Sequence, residues 1–600
     1  MKEIVFVENS LSFESGQVFD GKDVVFTGAK RLTDFEKENG VYVCDLLKTG
    51  ATLHEMRSRG YDRPLGGGHS ELFIDGKPCN VSRYPKKGEF CSISAYVKSV
   101  EAIDEKASGA LETGFYFEDE RPKQWAEDKN IWMHGYWGFD WANSYEQIEV
   151  FDKEKGFIVA KPPYGNFFYR VGQRFHFLNV KEEVTEAGDY YLDFERKRVY
   201  FLPFEEGKTE DVWLSVTKEP CIHLVDKENV VIENCVIENF TGNGVLVENC
   251  KNILFRNCIV RNIGGCGAIV KDSENVVFEN CDVYHVGDCG LKISGGDRKT
   301  LTSCNCGVKN CQIHDVSAWS RTYTPAIQMT GVGMFAKNNQ IYDCPHAAII
   351  YWGNEIKITD NTIYDVLYET HDAGAIYSGR DYTFRGNEVS DNLICLTSGY
   401  GPGTMGIYND DALSGTKMER NVFYKVQRAV LLGSGVDYVV RDNVFVDCTP
   451  AMEIDGRFST DIKQWRRDLQ TLKDRFYHIF QRKYSPCHPV CYGEEVDVGV
   501  SAIDEPYRSR YPELMKLHEA FSQAETLPYN YPSGEISGNI FLGGEIEWVW
   551  MITQEEYEAN FKKQNNLTLT SVSELKDVAV KKLYEKYLRA LELEKGLKKR

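Results

Sequence analysis

Asp372, Asp410 and Asp411 are the residues whose type and placement could do chemistry, because they sit in or beside phrases that align on one another by their apolar residues. These phrases are Ala348-Ile-Ile-Tyr-Trp-Gly353, Ala373-Gly-Ala-Ile-Tyr-Ser-Gly379, Met405-Gly-Ile-Tyr-Asn-Asp-Asp411 and Ala451-Met-Glu-Ile-Asp-Gly456. If Ile350, Ile376, Ile407 and Ile454 point inward along strands, then Tyr351, Tyr377, Tyr408 and Asp455 point outward in one column. The same parity sends Asp410 outward with Tyr408, and Asp411 inward unless the strand has already turned. His346, Glu369, His371, Arg380, Asp381 and Arg441 come from the same stretch and complete the candidate cluster. Stacked strands stand about 4.8 Å apart, so carboxylates one or two strands apart on one face fall in the roughly 5–10 Å range that glycosidic-bond hydrolysis requires of its acid and its base or nucleophile. Asp372 and Asp410 fit best. Which is the acid stays open, as does the choice between Asp410 and Asp411. Turn capping explains any one of these Asp residues alone, but not their concentration with Tyr, His and Arg on one face.

The elements that must position them are set by a repeat. Asn229-Val-Val-Ile-Glu-Asn-Cys235, Asn252-Ile-Leu-Phe-Arg-Asn-Cys258 and Asn275-Val-Val-Phe-Glu-Asn-Cys281 recur with a period of 23 residues, and weaker copies continue to Asn443. Each copy alternates apolar and polar residues, the pattern of a strand with one buried face. Units this short bury their apolar faces only by stacking, as in a parallel β-helix. The fold class is therefore mainly β, a right-handed parallel β-helix over 219–457, the hand following the general preference for right-handed crossovers. Asn side chains at fixed register can bond up a column at a turn, with reduced Cys beside them.

Outside the repeats, 1–218 reads as a β-rich region, with Val24-Val-Phe-Thr-Gly28 as a possible early coil or cap and a hairpin at Asp75-Gly76. The aromatic stretch Trp132 to Trp141 suits either stacking on sugar rings or packing this region onto the helix. A helical excursion is expected over 458–534, from Ile462, Trp465, Leu469, Leu472, Phe476, Ile479 and Phe480 at helical spacing. A final coil follows at 535–552, and then a C-terminal helical cap over 553–600 on Leu575, Val578, Leu583, Tyr587, Leu588 and Leu591.

A formal charge of −20 argues against a nucleic-acid partner, and no apolar run is long enough for a membrane span. Glu8 interrupts what a signal peptide would need as its apolar core, so a cytoplasmic location is expected. Among the 18 Cys, neither Cys304/Cys306 nor Cys487/Cys491 has the second pair or His spacing of a zinc site. No metal and no cofactor are expected; the oligomeric state is not legible.

Glu369-Thr-His-Asp-Ala-Gly-Ala-Ile-Tyr-Ser-Gly-Arg-Asp381, with Gly406-Ile-Tyr-Asn-Asp-Asp411 and Gly295-Gly-Asp-Arg298, resembles the right-handed β-helix glycoside hydrolases of family 141. Asn179-Val-Lys-Glu-Glu, Tyr190-Tyr-Leu-Asp193 and Trp319-Ser-Arg-Thr-Tyr323 are similar too, and the likeness runs over roughly 60–455. It implies hydrolysis of fucosides of pectin, or of xylan, by paired Asp residues that map onto Asp372 and Asp410 or Asp411. The missing secretion signal departs from that pattern and favours imported oligosaccharides over polymers. Two other classes compete: a polysaccharide lyase, for which Lys is scarce around the Tyr column, and a non-catalytic sugar-binding β-helix, which needs no paired acids.

Overall fold

The computed structural model describes residues 3–97, 111–126, 130–165, 167–397, 399, 403–460, 462–478, 499–523 and 531–598. Ile479, Phe480, Cys487 and Cys491 lie outside the described residues. Three long parallel sheets of 13, 12 and 11 strands wind through the chain, each strand pairing with the equivalent strand of the next turn. Val231, for example, pairs with Leu254 and Leu254 with Val277, a step of one repeat each. The parallel β-helix expected from the period is thus present.

Its register is held at one turn by a single inward column. Cys235, Cys258, Cys281 and Cys311 begin it, and Cys311 N–H then donates to Asn339 Oδ1 at 2.9 Å. From Asn339 the column continues upward through Asn361, Asn392, Asn421, Asn443, Asn539 and Asn566, each of these six accepting on its Oδ1 from the backbone N–H and side-chain amide of the Asn before it. Each amide also donates to a carbonyl of the preceding coil, as Asn392 does to Ile358 O at 2.9 Å. Throughout, the residue before the column takes positive φ, as at Asn234, Asn257 and Asn280 in the early coils and Asn338, Asp360 and Asp391 in later ones. Every described cysteine is a free thiol, and the Cys235 and Cys258 sulfurs stand 3.7 Å apart.

The helix begins earlier and ends later than 219–552. Glu3–Phe6 and Val24–Thr27 belong to the 13-stranded sheet and Val18–Asp20 to the 12-stranded one, so the first coil precedes a large insertion. Strands at Phe561–Gln564 and Leu567–Leu569 add a partial coil after 552. The insertion is built of mainly antiparallel sheets, one of which joins Ala29–Arg31 to Val212–Ser215 and so ties its entry to its exit. Its Asp75-Gly76 turn has both residues at positive φ, the geometry of a two-residue hairpin. The 458–534 excursion packs Leu469, Leu472 and Phe476 onto Tyr382, Ala412 and Val436, at the ends of coil strands. The C-terminal helix, Lys581–Leu597, covers Leu393, Val422 and Val444 of the 13-stranded sheet. Val578, the last residue before the helical stretch breaks at Ala579 and Val580, is exposed, and so is Leu588 within the final helix.

The inner column gives a direct stability test. Asn392→Ala removes the acceptor for Asn361 and the donor for Ile358, both fully buried, and is expected to cost about 2–4 kcal/mol in urea denaturation. A shift of less than a few tenths would mean that the column does not hold the coils in register.

Candidate active site

The outward face of the 11-stranded sheet carries the predicted carboxylates. Ile376 pairs with Ile407 and Tyr377 with Tyr408, so both tyrosines point outward from adjacent coils, their rings 5.3 Å apart. Their hydroxyls cross: Tyr377 donates to Asp410 Oδ2 and Tyr408 to Asp372 Oδ1, each at 3.0 Å. Two glycines permit this approach. A Cβ on Gly374 would stand 2.6 Å from the Tyr408 Cβ, and one on Gly379 would stand 2.8 Å from the Asp410 Cβ. Asp372 itself lies in the turn before the strand, exposed and at φ +51°.

Beyond Asp410 the strand ends, with Asp411 at φ +24° and Ala412 at φ +65°. Asp411 therefore does not turn inward. Arg380 holds its Oδ2 at 2.8 Å and Arg457 its Oδ1 at 2.9 Å. Arg457 also grips Asp455 through Nε, at 2.7 Å, and through Nη2. Three carboxylates thus share two guanidiniums, and Asp410 is left with the poorest share, 3.5 Å from Arg457. Burial, the neighbouring Asp411 carboxylate and Asp372 beyond it raise Asp410 to about 7, against the pull of Arg457 and Arg380.

Several predicted positions fall elsewhere. Ile349, not Ile350, pairs with Ile376, so Ile350 takes the outward place beside Tyr377 and Tyr351 lies inward in the Met329 column. A one-residue slip exchanges the two faces of a strand, and the two adjacent isoleucines made the slip invisible in sequence. Ile454 pairs with Leu432, two residues along from the Ile407 column, so Glu453 stands in the tyrosine column and Asp455 in that of Asp410. Asp381 turns away, accepting from the backbone N–H and hydroxyl of Thr383 at 2.8 and 2.6 Å. Arg441 lies on the 12-stranded sheet, paired with Glu419. His346 is buried against Tyr323, and burial pushes its imidazole down to about 3.

Glu369 is sequestered rather than open to a ligand. Although burial opposes its charge, the Arg321 guanidinium, together with the Tyr136 hydroxyl at 2.7 Å, holds its carboxyl at about 2. Arg174, from the insertion, donates to the Glu369 carbonyl at 2.5 Å and to Asp140 at 3.2 Å. Asp140 in turn meets His371 Nε2 at 3.3 Å and raises that imidazole, beside Asp372, above its ordinary range. A charged chain therefore runs from the insertion to the turn that carries Asp372. In the aromatic stretch, Trp132, Tyr136 and Trp137 are buried, whereas Phe139 and Trp141 are half-buried and stack at 4.9 Å beside Tyr61 and Tyr323. Trp465, from the excursion, lies over the Arg457 guanidinium at 5.1 Å.

Sequence reasoning missed Arg457, Glu453, Asp140, Arg174 and Arg321. The first two were within reach: Arg457 directly follows the aligned phrase, and Glu453 shares a face with Asp455 by simple alternation. Asp140, Arg174 and Arg321 carry no periodic signal. Among the described residues, no group of three or more His, Cys, Asp or Glu is placed to hold a metal ion.

A family model described as "Right handed beta helix region" matches residues 208–363 and 325–463, in keeping with the three parallel sheets and the right-handed β-helix expected from the repeat. Among solved structures, one described as "Glycoside hydrolase" superposes with a TM-score of 0.54 at 16% identity, covering 76% of this chain and 88% of that chain. A complex of XylC with xylose gives 0.44 at 10% identity, covering 94% and 81%. The catalytic domain of a GH87 alpha-1,3-glucanase in complex with tetrasaccharides gives 0.29 at 8%, covering 90% and 99%. At 16% identity the first likeness is one of fold. No curated protein matches the chain by sequence.

Arg321→Met leaves the half-buried Glu369 carboxylate without its main counter-charge and is expected to destabilise the fold by about 1–3 kcal/mol at pH 7, read from the urea midpoint. Because the native carboxyl sits near 2 against an ordinary 4.5, the unfolded chain binds the extra proton, and the wild type loses this contribution as pH falls through that window. In the variant the Tyr136 hydroxyl still bonds Glu369 but the guanidinium that opposes burial is gone, so the slope from this group should be much reduced. Parallel pH curves for the two proteins would contradict the assignment.

Proposed function

We propose that the chain is a glycoside hydrolase in which Asp410 is the general acid and Asp372 the base or nucleophile. The observation that carries this reading is the crossed pair: two carboxylates on one face, each bonded to the tyrosine of the neighbouring coil, one of them short of counter-charge. Arg380 and Arg457 pair closely with Asp411 and Asp455, which leaves Asp410 with the weakest counter-charge and its carboxyl raised to about 7. That proton passes to the glycosidic oxygen as the bond to the anomeric carbon breaks, and the Asp372 carboxylate either takes a proton from the incoming water or bonds the anomeric carbon itself. Asp411 acts as a positioning residue, fixing the two guanidiniums. Tyr377 and Tyr408 orient the carboxylates, while His371, tied to Asp140, flanks Asp372.

As substrates we propose fucoside- or xyloside-containing oligosaccharides of plant cell-wall type, in keeping with the phrases around Asp372 and Asp410. A cytoplasmic location belongs to the same reading and is supported by the free thiols of the Cys column.

Turnover of 4-nitrophenyl glycosides and of natural oligosaccharides tests the assignment. Asp410→Asn is expected to lower kcat on an oligosaccharide by about a hundredfold to ten-thousandfold and to recover much of its rate on a substrate with a good leaving group. Asp372→Asn should lose as much without that rescue. In the wild type kcat/KM should fall as pH rises through about 7, where Asp410 gives up its proton, and Asp410→Asn should lack this limb. An active Asp410→Asn beside a dead Asp411→Asn would overturn the assignment.

A further inference from the structure

The sheet that carries the carboxylates ends in two exposed tryptophans. Trp548 and Trp550 lie on its terminal strand, Glu547–Trp550, and are 37% and 48% exposed. Both point outward, one residue apart by alternation. Register places them with the site: Trp548 continues the column Tyr377, Tyr408, Leu431, Glu453, and Trp550 continues the column Gly379, Asp410, Gly433, Asp455. Three coil steps separate Tyr408 from Trp548, about 14 Å along the helix axis. Large exposed aromatics cost free energy in water unless they meet a partner, and here two of them extend the face on which the proposed chemistry occurs. Arg428 lies over Trp548 at 5.5 Å while pairing with Glu453 at 3.2 Å, so donors and acceptors for hydroxyl groups flank the rings.

We infer that Trp548 and Trp550 form a distal sugar-binding platform, on which the far rings of an oligosaccharide rest when its scissile bond lies between Asp372 and Asp410. This rests on the hydrolase reading. An aromatic face against the C–H face of a pyranose buries apolar surface on both partners, and the flanking charged groups take the hydroxyls at the ring edge. The platform makes the enzyme selective for chain length rather than for the terminal sugar. Contact with a second copy at this open sheet edge is the competing occupant.

The full-length protein, Trp548→Ala, Trp550→Ala and the double variant would be compared on xylo-oligosaccharides of increasing length and on 4-nitrophenyl β-D-xyloside and α-L-fucoside, with molar mass measured by light scattering. The double variant should lose about tenfold in kcat/KM on the longest chain hydrolysed, mostly through KM, while keeping wild-type rates on the single-ring substrates. Equal behaviour on all lengths, equal losses on single-ring substrates, or a wild-type dimer that the double variant dissociates would overturn the platform and leave the hydrolase reading standing. A wild type that hydrolyses neither an oligosaccharide nor an aryl glycoside would sink the hydrolase reading, and the platform with it.

Discussion

The structure depends on the inward column at one corner of every coil. A parallel β-helix has no long-range register of its own, since each coil could slide along the next at the cost of a few backbone hydrogen bonds. The Asn residues from Asn339 to Asn539 remove that freedom, because each bonds the coil behind it and the coil ahead from a buried position, where a displaced amide would go unsatisfied. The earlier coils use thiols in the same column and place their amide ladders outside, at Asn229, Asn252 and Asn275. The switch occurs at Asn339, before the coils that carry the site. The stricter column therefore underlies the part of the helix where a slip would separate Tyr377 from Tyr408.

With register fixed, the site follows from charge imbalance. Asp410, Asp411 and Asp455 converge because the strand after Tyr408 ends in two residues of positive φ and because Gly379 and Gly433 leave room beside them. Two guanidiniums cannot fully offset three carboxylates in a buried setting, and the carboxylate with the weakest share, Asp410, is raised to about 7. One of those guanidiniums, Arg457, lies at the start of the excursion, and its face is covered by Trp465. The loop region thus supplies part of the electrostatics that the coil alone lacks.

The insertion makes a matching contribution from the other side. It enters and leaves between the first two coils, yet Arg174, Asp140 and Tyr136 reach Glu369 and His371, several coils further along. Asp372 lies in a turn, exposed and at positive φ, and the coils hold that turn through the Tyr408 hydroxyl on Asp372 and the Pro345 carbonyl, to which Thr370 donates. A buried ion pair is a poor source of net stability but a strict geometric constraint. The chain Arg321, Glu369, Arg174, Asp140, His371 uses that property to anchor the turn on a domain distant in sequence.

The sequence by itself determined the architecture, since a period of 23 residues with Asn and Cys at constant register leaves one economical way to bury short strands. It also brought Asp372, Tyr377, Tyr408 and Asp410 together, because alternation along a strand is a local rule and needs no knowledge of partners. What it left undetermined has a common cause. Ile349 and Ile350 read alike, and only the pairing with Ile376 tells which one faces inward; Asp411 reads as inward until the backbone turns beneath it. Asp381 and Glu369 are chemically suited to a site, but Thr383 and Arg321 claim them. Register, turn geometry and counter-charge are relations between segments tens to hundreds of residues apart, so tertiary structure decided them where local pattern could not.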